Sequence, residues 1–287
     1  MAEGRERIIA SIDGSVGSLA VCEAAAWAAG RLGRNVLLLH TLERRQQHGA
    51  DNWSGSIGLG AQSDLLEEMA RLDQERGRLA LQYGKTLLAE AEDRLAAAGI
   101  PEPATLLRHG DFVEALVELE AQARMMVVGK VGTDHAGEVT ALGSHIETLI
   151  RQVHTSLLIT SASFSPPERF MLAYDGKDTA ERSLDRIIKS PLLRGLPCHL
   201  VMVGSDNADH HDKLQSATQR LVDEGYDVSP NLLNGNVTEA LNQYQRDNDI
   251  GLLIMGAFSH SKVRRLFLGS NTVNMIQSSL APLIILR

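Results

Sequence analysis

Ile-Ile-Ala-Ser-Ile-Asp-Gly-Ser at residues 8–15 and Phe-Met-Leu-Ala-Tyr-Asp-Gly at residues 170–176 decide the fold of this chain. Each stretch is a short apolar run that ends in Asp-Gly. Four more matched pairs follow in the same order: residues 110–116 with 235–241, 126–129 with 253–256, 143–144 with 269–270, and 156–159 with 282–286. The shared order predicts two copies of one structural unit, which we call the first copy and the second copy.

The bulk composition fits two ordinary globular domains. A length of 287 residues suits two domains that each bury their own core, and we predict them at residues 1–161 and 168–287. Between them, Pro166-Pro167 resists both helix and sheet and indicates a linker. The start of the chain is polar, and no apolar run reaches the ~20 residues that span a bilayer, so we expect a cytoplasmic protein without a membrane partner.

Charge, cysteine and histidine content limit the possible ligands. A net charge of −8 argues against nucleic acid as a partner. The two cysteines, Cys22 and Cys198, stand at different points of the repeat, which favours buried thiols over a disulfide. The 10 histidines show no spacing that suits a shared set of metal ligands, so we expect no metal site.

Apolar runs alternate with helical patterns in both copies, which predicts an α/β fold with two doubly wound units of five parallel strands. The strands are predicted at residues 7–12, 36–40, 105–107, 125–128 and 156–160, then 169–174, 198–203, 228–233, 250–255 and 283–286. Helices of the first copy are predicted at residues 15–32, 64–98, 111–123 and 144–152. The first copy is longer because it has a Gly-rich stretch at residues 48–60 and a longer, charged second helix. We expect that stretch to be either a mobile surface or a contact for a partner.

The predicted ligand site lies where parallel strands end. Open parallel sheets bind ligands at the carboxyl ends of their strands, and Asp13 and Asp175 each follow a first strand. Glycines after the fourth strand let the backbone approach a ligand, and a helix start presents free N–H groups to phosphate oxygens. A carboxylate for ribose or base and N–H groups for phosphates together indicate a nucleotide site.

The spacing Gly-x2-Gly-x9-Gly-Ser/Thr after strand four, with an Asp ending strand one, resembles that of the universal stress protein family. The chain is similar to its tandem members over almost its whole length. The resemblance implies an adenine-nucleotide alpha-hydrolase-like fold and binding of ATP, with Mg²⁺ as a possible companion. It implies that the strand-one Asp and the end of strand two contact the nucleoside, while the Gly-rich loop and Gly-Ser hold the phosphates. The candidate residues are Asp175, Val203, Met255, Gly256, Ser259, Gly269, Ser270, Asn271 and Thr272 in the second copy, and Asp13, Gly129, Gly132, Gly143 and Ser144 in the first.

The two copies depart from that pattern differently. The first has ten residues between Gly132 and Gly143 instead of nine, and the second has Ser259 in place of the second glycine. We favour the second copy because it keeps the spacing and the polar Ser-Asn-Thr at residues 270–272. Three structural alternatives stay open: the aspartates as helix N-caps, the Gly-Ser pairs as plain helix starts, and Lys262, Arg264 and Arg265 as a solvated face rather than phosphate ligands.

The sequence predicts a regulatory protein of the stress response that binds ATP or a related adenine nucleotide and signals to a protein partner through a changed surface. We expect no enzyme, because no Walker motif, Gly-x-Ser-x-Gly elbow or paired acid and base is present, although slow ATP hydrolysis is compatible with such a site. The alternatives are an interaction scaffold that binds no nucleotide and a weak ATPase. We also expect the last strands of the two copies to pair, as in an intramolecular pseudo-dimer, and a homodimer of the whole chain is a further possibility.

Overall fold

The computed structural model describes residues 7–42, 59–130, 144–256 and 270–287. The first copy contains β1 Arg7–Ser11, α1 Ser18–Leu32, β2 Asn35–Leu42, α2 Leu59–Ala97, β3 Ala104–His109, α3 Phe112–Leu119, β4 Ala123–Gly129, α4 Ser144–Gln152 and β5 Leu157–Thr160. The second copy contains β6 Phe170–Ala173, α5 Asp178–Lys189, β7 Cys198–Val203, α6 Ala208–Asp223, β8 Val228–Leu233, α7 Val237–Asp247, β9 Leu252–Gly256, α8 Ser270–Ser278 and β10 Leu283–Leu286. The α/β class and the repeated unit are therefore confirmed.

All ten strands form one sheet in the order β3-β2-β1-β4-β5-β10-β9-β6-β7-β8. Every neighbouring pair is parallel except β5 with β10, which is antiparallel. In each copy the chain moves outward from its first strand and then returns to the other side of that strand. The order of strands therefore reverses between β1 and β4 and between β6 and β9, where doubly wound sheets open a crevice.

The two copies meet at β5 and β10 with two-fold symmetry. Leu158 pairs with Ile284, and these are equivalent positions of the repeat. On either side, Leu157 pairs with Ile285 and Ile159 with Leu283. These side chains are almost fully buried, so each copy covers the edge that the other would expose. The predicted pseudo-dimer is confirmed.

The core forms one continuous apolar layer on each side of the sheet. The layer against α1, α2, α5 and α6 includes Leu158, Phe170 and Ile284, and so runs through both copies. The other layer lies against α3, α4, α7 and α8. Alternate residues of the nearly continuous apolar strands supply the two layers, which is why the strands lack an alternation of polar residues.

Contacts outside the sheet also join the copies. Lys130, just after β4, places its Nζ 2.5 Å from the carbonyl of Gln277 and 3.0 Å from that of Ser279, at the end of α8. Burial lowers the pKa of Lys130. The segment between the copies is anchored by Phe164, whose ring centroid lies 5.8 Å from that of Trp27. Nε of Arg31 donates to the carbonyl of Leu192 in the second copy at 2.9 Å.

Several boundaries correct the prediction. α1 begins at Ser18 rather than at residue 15, because the hydroxyl of Ser18 is used in the turn that follows β1. α3 ends at Leu119 because Glu120–Gln122 tightens into a 3-10 turn and Ala123 already belongs to β4. α2 begins at Leu59, within the predicted Gly-rich stretch, of which the rest lies outside the described residues.

Candidate functional site

The strand register brings the predicted nucleoside residues of each copy to one edge of the sheet. Leu172 of β6 pairs with Ile254 of β9 and with Leu200 of β7. Asp175 and Val203 stand three residues beyond this level, and Gly256 stands two residues beyond it. In the first copy, Ala10 pairs with Val127 and Leu38 in the same way, which places Asp13 and Gly129 at the equivalent points.

Both aspartates organise an identical turn. Oδ1 of Asp13 accepts from the backbone N–H of Ser15 at 2.9 Å, and Oδ1 of Asp175 accepts from that of Lys177 at 3.0 Å. The intervening glycines have left-handed φ angles, +80° at Gly14 and +67° at Gly176, which a glycine adopts without strain. The N-caps of α1 and α5 are other residues, Gly17 and Lys177. The aspartates are therefore turn residues that face the strand ends, and the alternative of a helix N-cap is not what the geometry shows.

The first turn is closed more tightly than the second. Oδ1 of Asp13 also accepts from the hydroxyl of Ser18 at 3.1 Å, and that hydroxyl in turn accepts from the N–H of Gly14 at 3.0 Å. The side chain of Asp175 is 50% exposed, and its Oδ2 lies 3.2 Å from Nζ of Lys177, whose side chain is more exposed still. Of the two carboxylates, that of Asp175 is the more accessible to a ligand.

A side chain from the second helix of each copy lies over the Asp-Gly turn. A Cβ atom on Gly14 would stand 2.0 Å from the hydroxyl oxygen of Tyr83, which belongs to α2. A Cβ on Gly176 would stand 2.7 Å from Cδ of Lys213, which belongs to α6. The tyrosine ring is rigid, whereas the lysine stem changes rotamer readily and its ammonium already pairs with Asp209 at the surface, at 2.6 Å.

The tyrosine of the first copy rests on a buried histidine. His40 is 6% exposed, its Nδ1 donates to the carbonyl of Ile12 at 2.8 Å, and its ring lies edge-on to Tyr83 at 6.3 Å between centroids. A Cβ on Gly84 would stand 2.9 Å from this histidine, so the glycine lets α2 approach the end of β2 closely. Helix α2 thus fits directly over the Asp13 turn, where the sequence predicted a contact with a nucleoside.

The second copy has an ion-paired cluster behind its turn. The hydroxyl of Tyr174, the residue before Asp175, donates to Glu181. Arg220 of α6 pairs with both Glu181 and Asp185 at 2.5 Å. Burial, followed by the hydrogen bond to Glu181, raises the pKa of Tyr174, which therefore stays a neutral donor. This cluster fixes α5 and α6 relative to β6 and so holds the turn in place.

The structure describes only some of the residues that were predicted to contact the phosphates. Ser144 and Ser270 begin α4 and α8, as predicted. Asn271 is exposed, while Thr272 is 6% exposed and Met255 packs in the core, which leaves the backbone of Met255 to face a ligand. The remaining candidates, Gly132, Gly143, Ser259 and Gly269, together with Lys262, Arg264 and Arg265, lie outside the described residues.

Gly256 has a structural reason to be glycine. A Cβ there would stand 2.5 Å from Cγ2 of Thr179 and 3.1 Å from Oγ of Ser183, both of which are buried in the first turns of α5. The close contact between β9 and α5 therefore requires this glycine with or without a ligand. Sequence analysis missed this contact, as it missed Tyr83 and Lys213, since none of them is local to the motifs.

The described residues contain neither a cluster of metal ligands nor a helix that could span a membrane. In residues 7–42, 59–130, 144–256 and 270–287, no three His, Cys, Asp or Glu side chains are grouped closely enough to hold a metal ion. None of the helices described has the length and apolarity needed to cross a bilayer.

The family model and the curated relative that match this chain both identify the same protein family. The model of the universal stress protein family matches the chain twice, over residues 4–161 and 167–287. A universal stress protein of Synechocystis sp. is 33% identical over 267 residues, which is 92% of this chain and 93% of that protein. A solved universal stress protein structure from Archaeoglobus fulgidus has a TM-score of 0.71 at 19% identity and covers 98% of both chains. A functionally unknown protein from Pseudomonas aeruginosa has a TM-score of 0.63 at 13% identity, over 99% of this chain and 93% of that one. The two solved structures share the whole double fold.

Proposed function

This chain belongs to the universal stress protein family, and from that premise we propose that it is a cytoplasmic stress-response protein that binds ATP or a related adenine nucleotide, mainly in its second copy. The observation that carries the proposal is the Asp175 turn. An accessible carboxylate stands at the carboxyl edge of the sheet, next to the ends of β7 and β9, at the point where the strand order reverses.

The residues around Asp175 suit a ribose and its phosphates. A half-exposed carboxylate accepts hydrogen bonds from ribose hydroxyls, and the ammonium groups of Lys177 and Lys213 lie within reach of the same turn. Helix α8 begins at Ser270, and the N–H groups of a helix start attract phosphate oxygens. ATP, with Mg²⁺ shared between its phosphates, is the ligand class that this combination fits best.

Binding without efficient turnover is part of the proposal. The acidic groups next to the turn, Glu181 and Asp185, are paired with Arg220, and Tyr174 is held neutral by burial. Such groups position a ligand but do not serve as a general base. Occupancy would instead change the surface formed by the carboxyl edge, which a protein partner then recognises.

Thermal denaturation with Mg-ATP tests the proposal. At a ligand concentration 100 times the dissociation constant, binding stabilises the folded state by about 2.7 kcal/mol. We expect wild type and Asp13→Ala to be stabilised by Mg-ATP and Asp175→Ala to lose the stabilisation. The apo forms of both variants serve as references for any loss of fold stability. If wild type gains nothing from millimolar Mg-ATP, the proposal fails.

A scaffold that binds no nucleotide is the second candidate. The observation in its favour is Gly256, whose lack of a side chain is explained by packing against Thr179 and Ser183 without any ligand. Under this alternative the protein purifies free of nucleotide. Mg-ATP then leaves the thermal stability of Asp13→Ala and of Asp175→Ala unchanged. Phosphate release that is lost in Asp175→Ala would instead indicate a weak ATPase.

A further inference from the structure

The start of helix α6 covers the carboxyl ends of two neighbouring strands. A Cβ atom on Gly204, the residue after β7, would stand 2.7 Å from Cε1 of His210, which is partly buried there. Lys213 covers Gly176, in the turn after β6, in the same way. Residues three apart share one face of a helix. His210 and Lys213 therefore form one cover, with the imidazole over β7 and the lysine stem over β6.

A hydrogen bond fixes which nitrogen of His210 carries the proton. Nδ1 of His210 lies 2.7 Å from the carbonyl oxygen of Ser205. A carbonyl oxygen only accepts, so Nδ1 donates, and in the neutral imidazole Nε2 is left as an acceptor. Nε2 lies 3.6 Å from the point that a Cβ on Gly204 would occupy. The end of β7 is therefore covered by a ring that presents a hydrogen-bond acceptor.

The order of the strands determines on which side of Asp175 the base of a nucleotide would lie. In the proposed complex the ribose contacts Asp175 after β6, and the phosphates lie at the start of α8, which follows β9. The neighbours of β6 in the sheet are β9 on one side and β7 on the other, each about 4.8 Å away. Base and phosphates leave opposite ends of the ribose. The base therefore extends over the end of β7, toward Gly204 and His210.

The first copy differs at this point. The strand register makes Leu42 the equivalent of Gly204. A leucine side chain would occupy the space that the imidazole of His210 fills in the second copy. The pairing of a glycine after the second strand with a histidine above it therefore belongs to the second copy, which is the copy proposed to bind a nucleotide.

We propose that His210 selects the base of the nucleotide, because its Nε2 accepts a hydrogen bond from the 6-amino group of adenine. Adenine has a donor at position 6, whereas guanine and hypoxanthine have a carbonyl oxygen there, which is an acceptor. Two acceptors that face each other leave both groups unpaired, so 6-oxopurines bind less tightly. The inference rests on the proposed function and adds to it that the ligand class is 6-aminopurine nucleotides.

Isothermal titration with Mg-ATP and Mg-ITP at about pH 8 tests the selection, since the base of ITP is hypoxanthine. We expect wild type to bind Mg-ATP about tenfold more tightly than Mg-ITP. His210→Phe keeps an aromatic ring over Gly204 but has no acceptor, so its preference should fall below about twofold. His211→Phe is the matched control. His211 is the next residue on α6 and its Nε2 lies 2.7 Å from Oδ1 of Asp206, so the tenfold preference should persist without it.

The titrations separate failure of the selection from failure of nucleotide binding. Equal affinities of wild type for Mg-ATP and Mg-ITP would overturn the role of His210 and leave the proposed function standing. A wild type that binds neither nucleotide would overturn both. A preference that survives in His210→Phe, or that disappears equally in His211→Phe, would also contradict the role of His210.

Removing the amino group from the ligand gives a second test that does not depend on a variant. Purine riboside triphosphate has no substituent at position 6, and wild type should bind its Mg complex about tenfold more weakly than Mg-ATP. His210→Phe should bind the two ligands alike, because the hydrogen bond is already lost. Wild-type affinities that do not differ would refute the hydrogen bond. Circular dichroism of the free proteins checks that both variants keep the helix content of wild type.

Discussion

The Asp-Gly turns of the two copies have the same backbone but different covers. Gly14 and Gly176 share the left-handed conformation and the same hydrogen bond from the residue that follows to the aspartate. Over the first turn lies the ring of Tyr83 on a long helix, and over the second lies the flexible stem of Lys213 on a short one. The two copies therefore share the sheet and its turns and differ in the helix that covers the carboxyl edge of the sheet.

The strands β5 and β10 are equivalent in the two copies, so equivalent substitutions in them should lower the stability of the protein equally. Leu158 and Ile284 pair on the pseudo-two-fold axis and are 0% and 1% exposed. We expect Leu158→Ala and Ile284→Ala each to lower the free energy of unfolding by about 2–5 kcal/mol, because each leaves a cavity in a layer that spans both copies. Urea denaturation measures the loss, with Leu280→Ala (78% exposed in wild type) as a control expected within about 0.5 kcal/mol of wild type.

Unfolding of both variants should follow a single transition. The continuous sheet and its two apolar layers join the copies into one cooperative unit. Two separate transitions, of which each variant shifts only the one of its own copy, would show that the copies unfold independently.

One contact between the copies has no counterpart on the other side of the pseudo-two-fold axis. Lys130 donates to the last carbonyls of α8, whereas the residue after β9 in the sequence is Ala257. A cation at a helix carboxyl end stabilises the helix, and hydrogen bonds from a charged donor are among the stronger ones. We expect Lys130→Met to lower the free energy of unfolding by about 1–2 kcal/mol.

The matched control is Lys85→Met, since Lys85 is exposed on α2. It should change the stability by less than about 0.5 kcal/mol. Equal effects of the two substitutions would mean that the bridge from Lys130 to α8 contributes nothing beyond a surface charge.

Because Tyr83 lies over the first Asp-Gly turn and Lys213 over the second, removing either side chain should affect the number of nucleotide sites differently. We expect isothermal titration with Mg-ATP to give about one site per chain in wild type, because the ring of Tyr83 fills the first turn. Tyr83→Ala removes the ring and should add a second, weaker site, while Lys213→Ala should leave the number of sites unchanged. Tyr83→Phe separates the effect of the hydroxyl from that of the ring. If Tyr83→Ala still binds only one nucleotide per chain, a feature other than the ring of Tyr83 prevents binding in the first copy.

Regular elements were predictable because their signals are local. The bounds of β7, β8, β10 and α4 agree with prediction to the residue, since continuous apolar runs and helical spacing define them. The start of α1 was placed too early because the carboxylate of Asp13 and the hydroxyl of Ser18 hold a turn that competes with the first helical turn. Local patterns give no account of that competition.

The cover of each site depends on distant parts of the chain and could not be predicted. Tyr83 reaches Gly14 across 69 positions of sequence only because α2 packs on β2, where Gly84 permits a close approach. The apolar runs that end in Asp-Gly placed both aspartates correctly beside the ends of the first strands. They gave no information on which helix side chain would lie above them.

The smallest effect is expected from a titrating group that the first copy lacks. His199 of β7 is partly buried and its Nδ1 lies 2.8 Å from the hydroxyl of Tyr244, whereas the equivalent position of β2 is Leu37. Burial, followed by the charge of Arg169, lowers the pKa of His199, while Asp227 opposes the shift. Near pH 6.5, His199 of the unfolded chain therefore becomes protonated, while His199 of the folded protein is still neutral. The free energy of unfolding should then decrease as the pH falls below about 6.5. Urea midpoints measured between pH 7.5 and 5 should decrease more steeply in wild type than in His199→Gln, which keeps a hydrogen-bonding side chain next to Tyr244. Parallel curves for the two proteins would show that His199 titrates alike in the folded and unfolded states.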